Sequence, residues 1–245
     1  MIKLQNIYKS FNGFPVLRGV SFEVAKGEIL ALIGRSGSGK SVILKHVSGL
    51  MHPDKGHVFV YQKDLCCLRG KDLQGLRSRF GFLFQGGALF DSMTVFDNVA
   101  FPLREKTKLS EKEIRDRVYY ELGQVGLDDS ANKYPAEISG GMVKRAALAR
   151  ALVQAPEIML FDEPTTGLDP LTSNTIINLI DSCHDRLGFT GIIVTHRVPR
   201  VFTVAQKVAL LHEGTIAVAG PPEDVMSSKD PVVSTFIRGV IEGTF

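Results

Sequence analysis

The chain has 245 residues, 44% hydrophobic and 22% charged, which suits one large α/β domain with a smaller inserted lobe. Its net charge of +3 is too slight to argue for nucleic acid. The three cysteines, Cys66, Cys67 and Cys183, form no CxxC and no metal-ligand spacing, so they read as free thiols of a reducing compartment. The amino terminus has no apolar core of signal-peptide length, and no run of about 18 apolar residues is present to span a bilayer.

Ile2 to Ile7 and Gly19 to Val24 read as strands of a small antiparallel lobe that turns near Asn12-Gly13. Phe11, in polar surroundings, either stacks on an adenine ring or packs locally. The apolar run Ile29 to Ile33 predicts a buried parallel strand, and Val42 to Val47 begins a helix. Between them lies Gly34-Arg35-Ser36-Gly37-Ser38-Gly39-Lys40-Ser41, which meets the phosphate-loop pattern GxxxxGK[ST] at every fixed position. The glycines let the backbone turn tightly and aim successive N–H groups at phosphate oxygens, and the helix start adds its dipole. Lys40 can reach the β- and γ-phosphates, and the Ser41 hydroxyl can sit on a magnesium ion. The chain is therefore expected to bind a nucleoside triphosphate.

Further along, His57 to Tyr61 reads as a strand following a Lys55-Gly56 turn, and Phe80 to Phe84 as an apolar strand ending at Gln85. A polar amide at a strand's carboxyl end is where α/β sheets place ligand contacts, although such residues are often merely solvated. From about Asp91 to Ala136 the pattern turns helical. Asp91, Thr94 and Asp97 are cap-like, Ser110 opens a helix, and Tyr119, Leu122 and Val125 have helical spacing. Ser139-Gly140-Gly141 then precedes a strong helix former, Lys144 to Leu152. Ser139 is an N-cap, and the two glycines leave the first N–H groups open to an anion, which makes a second candidate phosphate-binding helix start.

Glu157 to Phe161 predicts an apolar strand that ends in Asp162-Glu163. Of the pair, Asp162 can hold the magnesium shell and Glu163 can polarise an attacking water. Thr166 to Pro170 is a turn into a helix from about Leu171. Gly191 to Val194 is another apolar strand, ending in Thr195-His196, and the strand order puts this histidine near the γ-phosphate unless it only packs. Lys207 to His212 and Thr215 to Ala219 form a hairpin across Glu213-Gly214, followed by short helices at Pro221 to Ser227 and Asp230 to Gly239.

The phosphate loop, Gln85, Ser139-Gly140-Gly141, the Asp162-Glu163 pair, the Leu168-Asp169 turn and His196 occur in an order that resembles the nucleotide-binding subunit of ATP-binding cassette transporters. The resemblance runs from Ile2 to about Ala219. It implies an α/β P-loop NTPase core, a mostly parallel sheet with flanking helices, bearing an antiparallel β lobe and an inserted α-helical subdomain. Core and lobe would occupy 1–90 and 154–220, the helical subdomain about 91–153, and a C-terminal helical extension 221–245.

It further implies an ATPase using ATP and Mg2+. Phe11 resembles the adenine-stacking aromatic, and the phosphate-loop residues and Asp169 belong with the nucleotide. Ser41, Gln85 and Asp162 belong with the metal, Glu163 resembles the catalytic base, and His196 the switch histidine. Gln85 also resembles the residue that senses the membrane partner. Ser139, Gly140 and Gly141 resemble the signature motif, which in this family binds the γ-phosphate held by the opposite subunit. That implies a head-to-tail homodimer sandwiching two ATP molecules.

The chain departs from the usual pattern at Ile138 for leucine, Met142 for glutamine and Arg197 for aspartate, the last reversing a charge. Met142 with Lys144-Arg145-Ala146, the stretches Phe84 to Phe90 and Thr94 to Arg104, and the tail residues Asp230-Pro231, Phe236-Ile237 and Gly239 are similar to the subfamily paired with MCE proteins in phospholipid trafficking across the Gram-negative envelope. That similarity implies an integral-membrane permease, an MCE-type substrate-binding protein, no nucleic acid, and a peripheral place on the cytoplasmic face of the inner membrane. Leu89, Phe90, Met93, Val95 and Phe96 either dock a permease helix or pack within the helical lobe. The rivals are another ABC importer, a lipoprotein-release system, a cell-division regulator and a DNA-repair ATPase. The last of these needs sustained coiled-coil heptads, which do not occur.

Overall fold

The computed structural model describes residues 1–196 and 198–241, with side chains for 1–196 and 200–239. The chain forms two compact units, one of 1–80 with 189–245 and one of 81–188. Arg197 lies outside the described residues, as do the last four positions of the tail.

The first unit opens with β1 (Ile2–Phe11) and β2 (Phe14–Val24), antiparallel across Asn12 and Gly13. Both turn residues have positive φ, 49° and 83°, the two-residue geometry that follows strand twist. Ile2, Leu4 and Ile7 are all buried although Ile7 breaks the alternation of two. A register shift between Leu4 and Ile7, with Asn6 at φ 50°, restores the inward face. Next come β3 (Ile29–Ile33), buried at every residue, α1 (Lys40–Val47), β4 (Lys55–Val60), β5 (Lys63–Asp64) and α2 (Gly70–Arg77). The small antiparallel sheet runs β2-β1-β4-β5.

The expected Lys55-Gly56 turn is instead the start of β4. Gly56 has φ 95°, and a Cβ there would lie 2.2 Å from the Asn6 carbonyl oxygen, so the glycine serves close approach to the β1 bulge. The actual turn falls on Tyr61 and Gln62, at φ 50° and 65°.

The second unit contains β6 (Phe80–Leu83), α3 (Val95–Lys106), α4 (Glu111–Gln124), α5 (Gly140–Leu152), β7 (Ile158–Asp162) and α6 (Pro170–Leu187). β6 neighbours β7. Thr94 caps α3 by accepting the Asp97 N–H at 3.1 Å, and Ser110 with Glu113 forms a full capping box on α4. Buried Asn98 bonds the Phe90 N–H and the carbonyls of Phe90, Met93 and Thr94, which satisfies the turn leading into α3.

The chain then returns to the first unit as β8 (Thr190–Thr195), α7 (Val198–Val201), β9 (Lys207–His212), β10 (Thr215–Gly220), α8 (Pro222–Met226) and α9 (Pro231–Ile241). β3 is parallel to both β8 and β9, while β10 pairs antiparallel with β9. Covered on both sides, β3 and β8 read as continuous apolar runs, each buried Ile, Leu or Val contributing about 1.5–3 kcal/mol. No described helix is long and apolar enough to cross a membrane.

Candidate active site

In the first unit, β3 delivers the chain into the phosphate loop. Gly34 has φ 155°, and a Cβ there would meet the Leu211 carbonyl oxygen at 2.5 Å, so neighbouring β9 admits only glycine. Gly39 begins α1 in the left-handed region at φ 103°, with no side-chain cap on the helix. Lys40, 5% exposed, donates from Nζ to the carbonyl oxygens of Gly34 at 2.9 Å and Arg35 at 3.0 Å, which fixes its ammonium in the loop. Arg35, Ser36 and Gly37 are exposed and Ser41 is half-buried. The Ser38 hydroxyl is buried and has no hydrogen-bond partner among the described residues. An orphaned donor beside an uncapped helix start fits an anion.

His196 follows β8 directly. Because Ile33 of β3 pairs with Thr195 of β8, the phosphate loop and His196 leave adjacent parallel strands at the same level. His196 is half-buried there. Phe11 is 40% exposed, with Lys9 Nζ 5.7 Å from its ring centroid. Its partner across the hairpin, Phe14, is 76% exposed, a second aromatic that sequence reasoning passed over.

In the second unit, β7 ends at Asp162, and Glu163 follows at φ 48° while only 8% exposed. A buried glutamate in the left-handed region carries strain of about 1–3 kcal/mol, of the kind concentrated at functional positions. Thr166 Oγ1 donates to Glu163 Oε2 at 3.1 Å and fixes the carboxylate. β6 ends one residue earlier than expected, at Leu83, and Gln85 is exposed beyond it. Lys144 of α5, 5% exposed, donates to the Gln85 carbonyl oxygen. Burial pushes its ammonium below the ordinary lysine value, and the Glu163 and then the Asp162 carboxylates oppose that shift. Lys144 therefore holds the Gln85 backbone, and the acidic pair favours its charged form. Its signal in the sequence was a lysine on the buried stripe Gly141-Lys144-Leu148. Six residues beyond Lys144, Arg150 donates to the Gly87 and Ala88 carbonyl oxygens, both at 2.7 Å.

Ser139 caps α5 as expected, accepting the Met142 N–H at 3.3 Å, with Ser139 and Gly140 exposed. Asp169 caps α6, its Oδ1 accepting the Leu171 and Thr172 N–H groups at 3.0 Å. Hydrogen bonding to Thr172 holds that carboxyl below its usual value. Of the five apolar residues named for docking, Phe90 is 43% exposed, Val95 is fully buried, and Leu89, Met93 and Phe96 are half-buried.

The helix starts can be sorted by charge. Among described helices of eight residues or more, α2, α3 and α4 have acids in the first turn: Asp72, Asp97, and Glu111 with Glu113. α6 is capped by Asp169, and at α9 the Asp230 carboxylate accepts the Val232 N–H at 2.8 Å. Only α1 and α5 lack a carboxylate at the cap or in the first turn. A carboxylate there would stabilise the helix by about 0.3–1 kcal/mol and would repel a phosphate. The two helices without one are those that sequence reasoning singled out as anion sites.

A glycine loop on a parallel sheet, an antiparallel β lobe and a helical unit bearing a second anion-ready helix define a P-loop NTPase. Residues 17–166 match the ABC transporter family. The chain belongs to that family and is an ATP-hydrolysing subunit of it. It is 43% identical over 238 residues to the Mycobacterium leprae protein named "Probable ribonucleotide transport ATP-binding protein mkl", covering 97% of this chain and 69% of that protein. It is 38% identical to the "Intermembrane phospholipid transport system ATP-binding protein MlaF" of Haemophilus influenzae, covering 99% of this chain and 92% of that one. A solved dimeric ATP-binding cassette, bound to ADP and Pi, superposes with TM-score 0.83 at 31% identity, over 91% of this chain and 99% of the other.

Proposed function

We propose that the chain powers a membrane permease that moves phospholipid between membranes. The observation that carries this reading is the likeness to MlaF, which extends over 99% of this chain and 92% of that protein's length. The Met142 variant of the signature stretch and the Phe84 to Phe90 sequence support the same group. A second reading, nucleotide cargo, is favoured by the name of the 43%-identical Mkl, of which this chain spans 69%.

In the proposed reaction Phe11 stacks on adenine and Asp169 joins the nucleotide-binding set. The loop amides and Lys40 hold the phosphates, and Glu163 orients the attacking water. His196 contacts the γ-phosphate. Ser41, Gln85 and Asp162 offer a hydroxyl, an amide oxygen and a carboxylate, the hard donors that Mg2+ prefers, and would hold it. When bound, the ion neutralises charge developing on the phosphates. Two chains pair head to tail, so that Ser139, Gly140 and Gly141 of each meet the nucleotide on the other. This makes use of both carboxylate-free helix starts. The permease, an MCE-type partner and the cytoplasmic membrane face complete the arrangement, with exposed Phe84 and Phe90 as contacts for a permease helix.

Affinity purification of the tagged chain from detergent-solubilised membranes, with mass spectrometry of proteins and lipids, tests the proposal. A multi-span permease with an MCE-type protein and enriched phospholipid is the expected result. A permease without enriched lipid would overturn the cargo and leave the ATPase intact.

A further inference from the structure

β4, β5 and the turn after them gather three side chains that nucleotide chemistry does not use. His57 lies on β4, Asp64 on β5 and Cys66 two residues beyond. Pairing places Phe59 opposite Asp64, and strand alternation puts His57 on the same face as Phe59. His57 Nδ1 and Asp64 Oδ2 are accordingly 2.7 Å apart. The Leu65 N–H continues the ladder to the Val58 carbonyl at 2.8 Å and so brings Cys66 back along β4, its Sγ 3.9 Å from the Gly56 oxygen. One ligand atom from each of His57, Asp64 and Cys66 lies within 4.8 Å of the other two, the one such group of three among the described residues.

We propose that this hairpin binds a zinc-class divalent cation through His57, Asp64 and Cys66, with water in the fourth position. Imidazole, carboxylate and thiolate are the donors that zinc takes, with three protein ligands leaving one open position. A magnesium ion, which requires oxygen donors, is rejected by the same set. Tetrahedral bonds of about 2.0–2.3 Å put donors about 3.3–3.6 Å from one another. The His57–Asp64 pair therefore opens by well under an ångström, and the sulfur, within 4.8 Å of both, closes by at most about 1.5 Å. Small side-chain rotations achieve both, because β5 ends its sheet and the His57 side chain is 59% exposed. No spacing in the sequence marks the cluster; the Tyr61-Gln62 turn creates it. The proposal is independent of the transporter reading, since none of these residues belongs to the phosphate site.

The test uses the full chain, reduced and stripped with chelator, titrated with Co2+ alone. One equivalent should bind with a thiolate-to-cobalt charge-transfer band and the visible bands of tetrahedral cobalt, and Zn2+ should displace it. Cys66→Ser should abolish the charge-transfer band and weaken Zn2+ binding by more than about 100-fold, beyond the loss seen for outer-shell partners. His57→Gln and Asp64→Asn should weaken Zn2+ binding likewise, and Cys67→Ser should keep the band. Circular dichroism checks that each variant is folded. Cobalt binding without a sulfur band, or a band that survives Cys66→Ser, would overturn the site.

Discussion

At the start of α1 the cap is Gly39, which has no side chain to offer; at the start of α5 it is Ser139, whose hydroxyl takes the Met142 N–H. α1 has no side-chain cap and carries buried Lys40 in its first turn for positive charge. α5 spends one donor on its own cap and keeps those of Gly140 and Gly141. The first is shaped by backbone that only glycine permits, so its motif is rigid in sequence. The second rests on an ordinary cap, so its motif reads weakly when taken alone. What sets α5 apart is an absence of nearby carboxylate, which no pattern of present residues displays.

This contrast can be tested by substitution. Glu163→Gln, which removes the proposed base and leaves both helix starts intact, should lower ATP turnover by about 10²–10⁴-fold. Phosphate-release kinetics reads the loss, and size-exclusion at saturating ATP should show a trapped dimer. A variant that stayed monomeric there would remove the role given to α5. Next in size, Ser139→Asp keeps a good N-cap and adds the missing carboxylate. Turnover should fall by about 100-fold, the scale of losing one donor aimed at developing charge, with no loss of thermal stability. Ser139→Ala supplies the opposite control, costing about 1 kcal/mol of stability through the lost cap. If Ser139→Asp turned over normally, α5 would be a structural helix only.

The smallest effect concerns the body of α1. His46 is 1% exposed, with Nδ1 2.6 Å from the Val42 carbonyl oxygen. Burial pushes its imidazolium down, and the carbonyl partly opposes this. The folded chain then binds fewer protons here than the unfolded chain, whose value is about 6.5. This contribution to stability is whole above about pH 6.5 and is lost as the pH falls through the depressed folded value. Denaturant midpoints should decline on the acid side, and His46→Gln should flatten the decline by at most one proton's slope.

The phosphate loop, the apolar strands ending at Asp162 and Thr195, and the caps at Thr94, Ser110 and Ser139 were legible because each rests on local chemistry. The Tyr61-Gln62 turn was not, since neither residue type favours positive φ and tertiary pairing imposes it. α2 also escaped, carrying Gly70 and Gly75 and burying only Leu76. β1 and β2 run past the expected Ile2 to Ile7 and Gly19 to Val24, because the hairpin continues to the exposed Phe11 and Phe14. In the sequence, Lys144 is one residue of a strong helix former. Its meaning depends on the Gln85 carbonyl, 59 residues away along the chain.

Lys144 and Arg150 stand six residues apart on α5, and both grip the backbone that follows β6, at Gln85 and at Gly87-Ala88. Two anchors on one stiff rod leave the grasped segment little freedom to slide or pivot by itself. A push delivered at Ser139 must reach Gln85 as displacement, with little lost to bending between them. The amide protons of 85–88 should accordingly exchange in step with those of α5, and severing either anchor should let the two exchange at separate rates.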